Sequence, residues 1–322
     1  MKLIRSMAMG SLAMAMTLAL MPAHAASNGN NGNEHGQGKV VVTILPQKGG
    51  QALAPVSLDD LQLKVDGKAA RVTGWAPLAD AAHRIEIVVL IDDGAQSSLG
   101  TQMSSIQDFI RKLPEGAAVA IAYMGNGRAL LASPMTTDHA EVLRRLRPPV
   151  GSSAGISASP YFCLSDLVKK WPSKDPRARR EVAMITEGVD YYEDGYNPDD
   201  PYVASAISDA LRNNTVVYSI YWGNQGARDG TGIASTTGQN LLGQVSEAVG
   251  GKSYWIGFGN PVSIEPYFAD IALRMANQYQ LEYVTELKGA PGVESMKLQV
   301  KRTAGKVNAP TQTYVQRKQD VQ

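Results

Sequence analysis

Arg84-Ile-Glu-Ile-Val-Val-Leu-Ile-Asp92-Asp93-Gly94-Ala95-Gln96-Ser97-Ser98 is the stretch that decides the fold. Six of the seven residues from Ile85 to Ile91 are apolar, and Glu86 is the interruption. The run is rich in β-branched residues and too short for a helix, so it reads as a strand buried on both faces. It ends in two carboxylates, a glycine and small polar residues. In open α/β sheets, ligands collect outside the carboxyl ends of the strands. The acidic turn therefore sits where such a fold places its site.

Strands and helices alternate outward from this run. Met103, Ile106, Phe109, Ile110 and Leu113 share one face of a helix over 102–113, and 117–124 is the next buried strand. Asn126-Gly127 marks a hairpin, returning 128–132 as an antiparallel edge. Thr137 or Asp138 caps a helix that Pro148 and Pro149 stop, and a further helix spans 161–171. The strand 181–186 ends at Glu187-Gly188-Val189-Asp190. A helix over 202–211, a strand over 215–222, a Gly-rich loop over 223–238 and a helix over 241–249 follow. A short strand at 253–256 and a helix over 264–279 complete the alternation. The expected fold class is α/β, a doubly wound, mostly parallel sheet with helices on both faces. Period-two strands at 39–45, 61–65, 69–73, 280–286 and 296–301 add a small β-rich region built from head and tail.

The ends and the composition bound the setting. The chain has 322 residues and a formal net charge of +1, which gives no reason to expect a nucleic-acid or acidic-membrane partner. A basic start, an apolar run through Leu20 and Ala23-His24-Ala25 read as a signal peptide over 1–25, giving an exported protein, periplasmic or secreted. Residues 26–38 carry no apolar run and read as a disordered linker. The expected division is then 39–80 as an N-terminal β-rich segment and 84–279 as the α/β domain. Strands over 280–310 pack with the N-terminal segment, and 311–322 is a flexible tail. The single cysteine, Cys163, excludes an internal disulfide and reads as a buried core thiol.

The order of these motifs resembles a von Willebrand factor A (VWA) domain, closest to bacterial secreted VWFA-related proteins. The likeness rests on 85–92, 180–190, Val249-Gly250-Gly251 and Asn277-Gln278-Tyr279-Gln280-Leu281. It implies a Mg²⁺ or other divalent cation at the sheet edge, held by a D-x-S-x-S turn, a threonine from a second loop and an aspartate from a third. Here the turn reads Asp92-x-Gly94-x-Gln96, or, shifted by one, Asp93-x-Ala95-x-Ser97. The second loop offers Ser157 or Ser159, and the third has Glu187 in place of aspartate. The resemblance thus implies a degenerate metal set of Asp92, Gln96, Ser159 and Glu187, inside a ligand-binding surface of Asp92, Asp93, Gln96, Ser157, Ser159, Glu187 and Asp190. The opposing reading is that Asp92 and Asp93 cap the following helix or bind arginine and backbone amides, with no ion.

Other motifs point elsewhere more weakly. Gly151-Ser152-Ser153-Ala154-Gly155 matches a nucleophile elbow, but Pro148 and Pro149 deny it the preceding strand such an elbow needs. Asp190, Glu193, Asp194, Asp199 and Asp200 crowd a Tyr-rich loop whose spacing is not that of an EF-hand. No histidine cluster is present for zinc or general-base chemistry. The expected function is a non-enzymatic binding module that engages a protein or cell-envelope ligand, as in adhesion. The alternatives are a structural component of an envelope complex, or a hydrolase using Ser153 or a metal-assisted site at Asp92 and Glu187.

Overall fold

The computed structural model describes residues 35–46, 55–78, 84–151, 159–192, 196–223, 233–257, 259–287, 289–301 and 305–318. The expected signal peptide, Ser153, Ser157, Glu193 and Asp194 lie outside the described residues. In chain order the elements are β1 (His35–Pro46), β2 (Leu61–Val65), β3 (Lys68–Pro77), β4 (Ile85–Asp92), α1 (Met103–Lys112), β5 (Ala118–Gly125) and β6 (Arg128–Leu131). Then come α2 (His139–Leu143), α3 (Pro160–Lys169), β7 (Arg179–Thr186), α4 (Pro201–Arg212), β8 (Thr215–Tyr221) and α5 (Ile233–Ala248). The last elements are β9 (Ser253–Tyr254), α6 (Glu265–Met275), β10 (Gln278–Glu286), β11 (Gly292–Val300), β12 (Gly305–Asn308) and β13 (Gln312–Arg317).

The chain is an α/β protein with two sheets. The first has six strands in the order β6-β5-β4-β7-β8-β9. Its pairings are parallel except for β6, which returns antiparallel on β5 through Asn126-Gly127. Ile87, Val89 and Ile91 of β4 pack with Ile106 of α1 and Phe268 of α6. Val88 and Leu90 pack into a second cluster with Leu164 of α3, Ala206 of α4 and Leu242 of α5. The polar interruption, Glu86, is buried and satisfied, accepting from Arg84 at 2.5 Å and from Trp171 Nε1 at 2.8 Å.

The second sheet closes on itself. β1, β10, β3, β2, β11 and β13 form a ring of antiparallel pairs, and β12 extends it alongside β1. Head strands thus sit between tail strands, and the barrel core mixes both in Val40, Val42, Leu63, Leu281, Tyr283 and Val315. Closure leaves no bare edge in the ring.

Four boundaries differ from the sequence reading. The helix expected over 264–279 stops at Met275, and Gln278 and Tyr279 begin β10. His35–Gly38, expected in the linker, belongs to β1 and pairs with β10 and β13. The reason is steric: a Cβ on Gly36 would lie 2.5 Å from Val315 Cγ1, and one on Gly38 would lie 2.3 Å from the Tyr283 hydroxyl. The glycines that resemble a linker are what let the strand pass over these barrel side chains. The tail expected to be flexible contains β13, with Thr313 and Val315 buried. The loop expected over 223–238 includes the first turns of α5, where Gly238 packs so closely that a Cβ would meet the Glu187 carbonyl at 1.9 Å.

Among the described residues no helix is long and apolar enough to cross a membrane.

Candidate functional site

β4 and β7 run side by side with Ile91 opposite Ile185, so the residues leaving both strands emerge together at one sheet edge. β4 has β5 on one flank and β7 on the other, so the strand order reverses beside it. Such a reversal opens a crevice at the carboxyl end of the strand. Asp92 ends β4 at this edge, and Glu187 follows β7 on the same edge.

Asp92 ties the first loop to the third. Its Oδ1 accepts the Gly94 N–H at 2.9 Å, and its Oδ2 accepts the Thr186 hydroxyl at 2.6 Å. Ala95 is completely buried in the core beneath.

Asp93 is held by a cation. Arg147 donates through both terminal nitrogens, at 2.7 and 2.8 Å, and Val150 N–H adds a third bond at 3.0 Å. The guanidinium lies 3.9 Å over the Tyr123 ring, and the Tyr123 hydroxyl both donates to Arg147 O and accepts from Arg147 N–H. Burial raises the Asp93 carboxyl, but the Arg147 fork and the Val150 amide outweigh it and hold the group below its ordinary range. The same pairing raises Arg147 further.

Gln96 braces the first loop against two others. Its Oε1 accepts from Asn260 Nδ2 at 3.1 Å, Asn260 Oδ1 accepts the Gly223 N–H at 2.7 Å, and Gln96 N–H donates to Gly223 O at 3.0 Å. Glu187 Oε1 accepts the Tyr191 hydroxyl. The path of this third loop is forced at Gly188, whose φ is +74° and whose Cβ would lie 2.4 Å from Leu242. Gly188 O accepts the Tyr161 hydroxyl at 2.6 Å.

Ser159 begins α3 as its cap, accepting the Tyr161 N–H at 3.2 Å, and its hydroxyl lies beside the carboxylate of Asp190. The structure thus gives Asp92 to Thr186 and Gly94, Asp93 to Arg147, Gln96 to Asn260, Glu187 to Tyr191, and Ser159 to Asp190. Among the described residues no three His, Cys, Asp or Glu side chains gather in a group that would hold a metal. Arg147, Tyr123 and Asn260 carry no sequence signal of their own. Each reaches the rim only because the sheet order brings its loop there. Cys163 is buried, with its thiol pushed up to about 12 by burial and by the charge of Asp92.

Three tyrosines, Tyr191, Tyr192 and Tyr196, stand exposed on the third loop. Aromatic side chains with polar tips are enriched at protein interfaces.

No known family model matches the chain, and no curated protein matches it. Solved structures do. An aerotolerance-related membrane protein from Bacteroides fragilis is 12% identical over 59% of this chain and 98% of its own, with a TM-score of 0.43. The conserved hypothetical protein BatB from Bacteroides thetaiotaomicron is 14% identical over 60% and 97%, with a TM-score of 0.42. VWA domains are among these neighbours. One is the SpRpn10 VWA domain, 11% identical over 58% and 95%, with a TM-score of 0.40. Identities this low carry no residue role to this chain.

Proposed function

We propose that the chain is an exported, non-enzymatic binding module of VWA type that grips a protein or cell-envelope ligand with the loops at the carboxyl edge of its parallel strands. The carrying observation is the hydrogen bond from Thr186 to Asp92, which joins two loops at the point where the strand order reverses. Gln96 and Asn260 add the loops after β8 and before α6 to the same rim. The result is a braced, polar platform flanked by exposed tyrosines, suited to recognition rather than bond breaking. Asp92 already accepts from Gly94 and Thr186, which supports a dependence on a cation that is weakened or lost.

The reading is tested by capture from an envelope fraction on the immobilised full chain, with and without EDTA. Gln96→Arg and Tyr192→Ala should each abolish capture, and EDTA should reduce it little. Equal capture by wild type and by both rim variants would refute the proposal.

A further inference from the structure

Phe162 holds two tyrosines, with ring centroids 5.4 Å from Tyr192 and 4.5 Å from Tyr202. Each ring follows a buried polar residue by two or three positions: Phe162 after Ser159, Tyr192 after Asp190 and Tyr202 after Asp200. The aromatic cluster therefore draws three distant segments together, where α3 and α4 begin. Ser159, Asp190 and Asp200 are 0%, 2% and 1% exposed.

The polar atoms gathered there are incompletely satisfied. Asp190 Oδ1 accepts the Tyr192 N–H at 2.9 Å, and Asp200 Oδ1 accepts from Tyr202 and Val203 at 2.8 and 3.1 Å. The second oxygen of each carboxylate, Oδ2, is buried without a hydrogen-bond partner. Asp190 lies within electrostatic range of Asp200, and the Ser159 hydroxyl is beside it. The Tyr161 hydroxyl is already committed, donating to Gly188 O at 2.6 Å. Among the described residues neither acid has a Lys, Arg or His within ion-pair distance.

A buried ionised carboxylate needs a proton or a cation. Asp200 caps α4, where the terminal N–H groups and the helix dipole stabilise negative charge. One shared proton would neutralise one acid, whereas a divalent cation answers both. Two carboxylates and a hydroxyl form an oxygen-only donor set, which suits hard cations. We propose that Asp190 Oδ2, Asp200 Oδ2 and the Ser159 hydroxyl oxygen are ligands of one Ca²⁺ or Mg²⁺ ion, with water or backbone oxygen completing its shell. The ion pins the starts of α3 and α4 to the loop after β7. This site shares Ser159 with the metal set that the resemblance implies but uses none of Asp92, Gln96 or Glu187, and it does not depend on the binding function proposed above.

The test is calorimetry and thermal unfolding of the EDTA-treated full chain with CaCl2 or MgCl2. Asp190→Asn and Asp200→Asn keep the Oδ1 acceptor, and asparagine remains a good helix cap. Wild type and Asp92→Asn should each keep an ion at this site, with a rise in Tm. Each of the other two variants should bind roughly 100-fold more weakly or worse, since loss of a supporting partner alone weakens metal sites by that order. In EDTA those two variants should melt at or above wild type, because a repulsion between buried acids is gone. Terbium luminescence excited through the neighbouring tyrosines, displaced by Ca²⁺, reports the site in wild type without any variant. Absence of binding and of any cation effect on wild-type Tm would overturn the proposal. Unchanged affinity in both asparagine variants, or loss in Asp92→Asn alone, would do the same.

Discussion

Thr186 at the end of β7 donates its hydroxyl to Asp92 Oδ2 at the end of β4, 2.6 Å away across two neighbouring parallel strands. The bond is charge-assisted and partly shielded, which makes it stronger than a neutral surface contact. Thr186→Val keeps the shape and removes the donor. It should destabilise the fold by about 1–3 kcal/mol, read as a lower urea midpoint with an unchanged slope. An unchanged midpoint would show that the bond contributes nothing to the rim.

The Asp93–Arg147 pair makes a second, separable prediction. Arginine serves here as a two-pronged donor and as a plate stacked on Tyr123. Lysine keeps the charge but supplies neither the fork nor the stack. Arg147 is about half exposed, so solvent screens much of its attraction. Arg147→Lys should therefore cost only about 0.5–1 kcal/mol in unfolding free energy, and Arg147→Ala somewhat more. Equal stability of Arg147→Lys and wild type across salt concentrations would place the pair among ion pairs without effect.

The central strands were legible because burial on both faces writes itself into composition. Ile85–Ile91, broken only by Glu86, and Val182–Ile185 are apolar runs, and the polar residues that follow them mark the edge that carries Asp92 and Glu187. The barrel was only half legible. Leu61–Val65 alternates cleanly, but His35–Gly38 is polar and glycine-rich, and nothing local shows that Tyr283 passes over it. The site was legible in its acids and not in their partners. Arg147 reaches Asp93 from 54 positions away, and Asn260 reaches Gln96 from 164, distances that no period or motif spans.

Barrel closure can be tested at Gly38, where an added Cβ would lie 2.3 Å from the Tyr283 hydroxyl. Tyr283 is buried and bonds Thr313 across the barrel at 2.7 Å, so its ring has little freedom to yield. Gly38→Ala should destabilise by roughly 1–3 kcal/mol through overpacking. Shortening the obstacle with Tyr283→Leu should make the alanine much less harmful than it is in the wild-type background. Additive effects of the two substitutions in denaturant unfolding would show that the glycine is not there to clear the tyrosine.

One buried acid and one half-buried acid give opposite dependences on pH. Glu181 is fully enclosed, with Arg179 Nε 3.8 Å away and Gln278 and Tyr218 nearby. Burial, the larger cause, outweighs Arg179 and raises its carboxyl from 4.5 to about 7. The folded state then holds the proton more tightly than the unfolded chain. Its contribution is complete below pH 4.5 and is lost as pH rises through about 7. Glu181→Gln should thus stabilise the protein at pH 8 relative to wild type by on the order of 1–3 kcal/mol, and have little effect at pH 4. Asp270 runs the other way. Burial raises it, but Lys252, Arg274 and the Tyr254 hydroxyl together lower it to about 2. Its contribution is present above the ordinary 3.8 and disappears as pH falls toward 2. Asp270→Asn should destabilise at pH 7 by about 1–2 kcal/mol, discounted for the exposure of Lys252, and much less at pH 2.5. Thermal melts of the two variants and wild type from pH 2.5 to 8 decide it. The difference curves should slope in opposite directions, and parallel curves would remove both assignments.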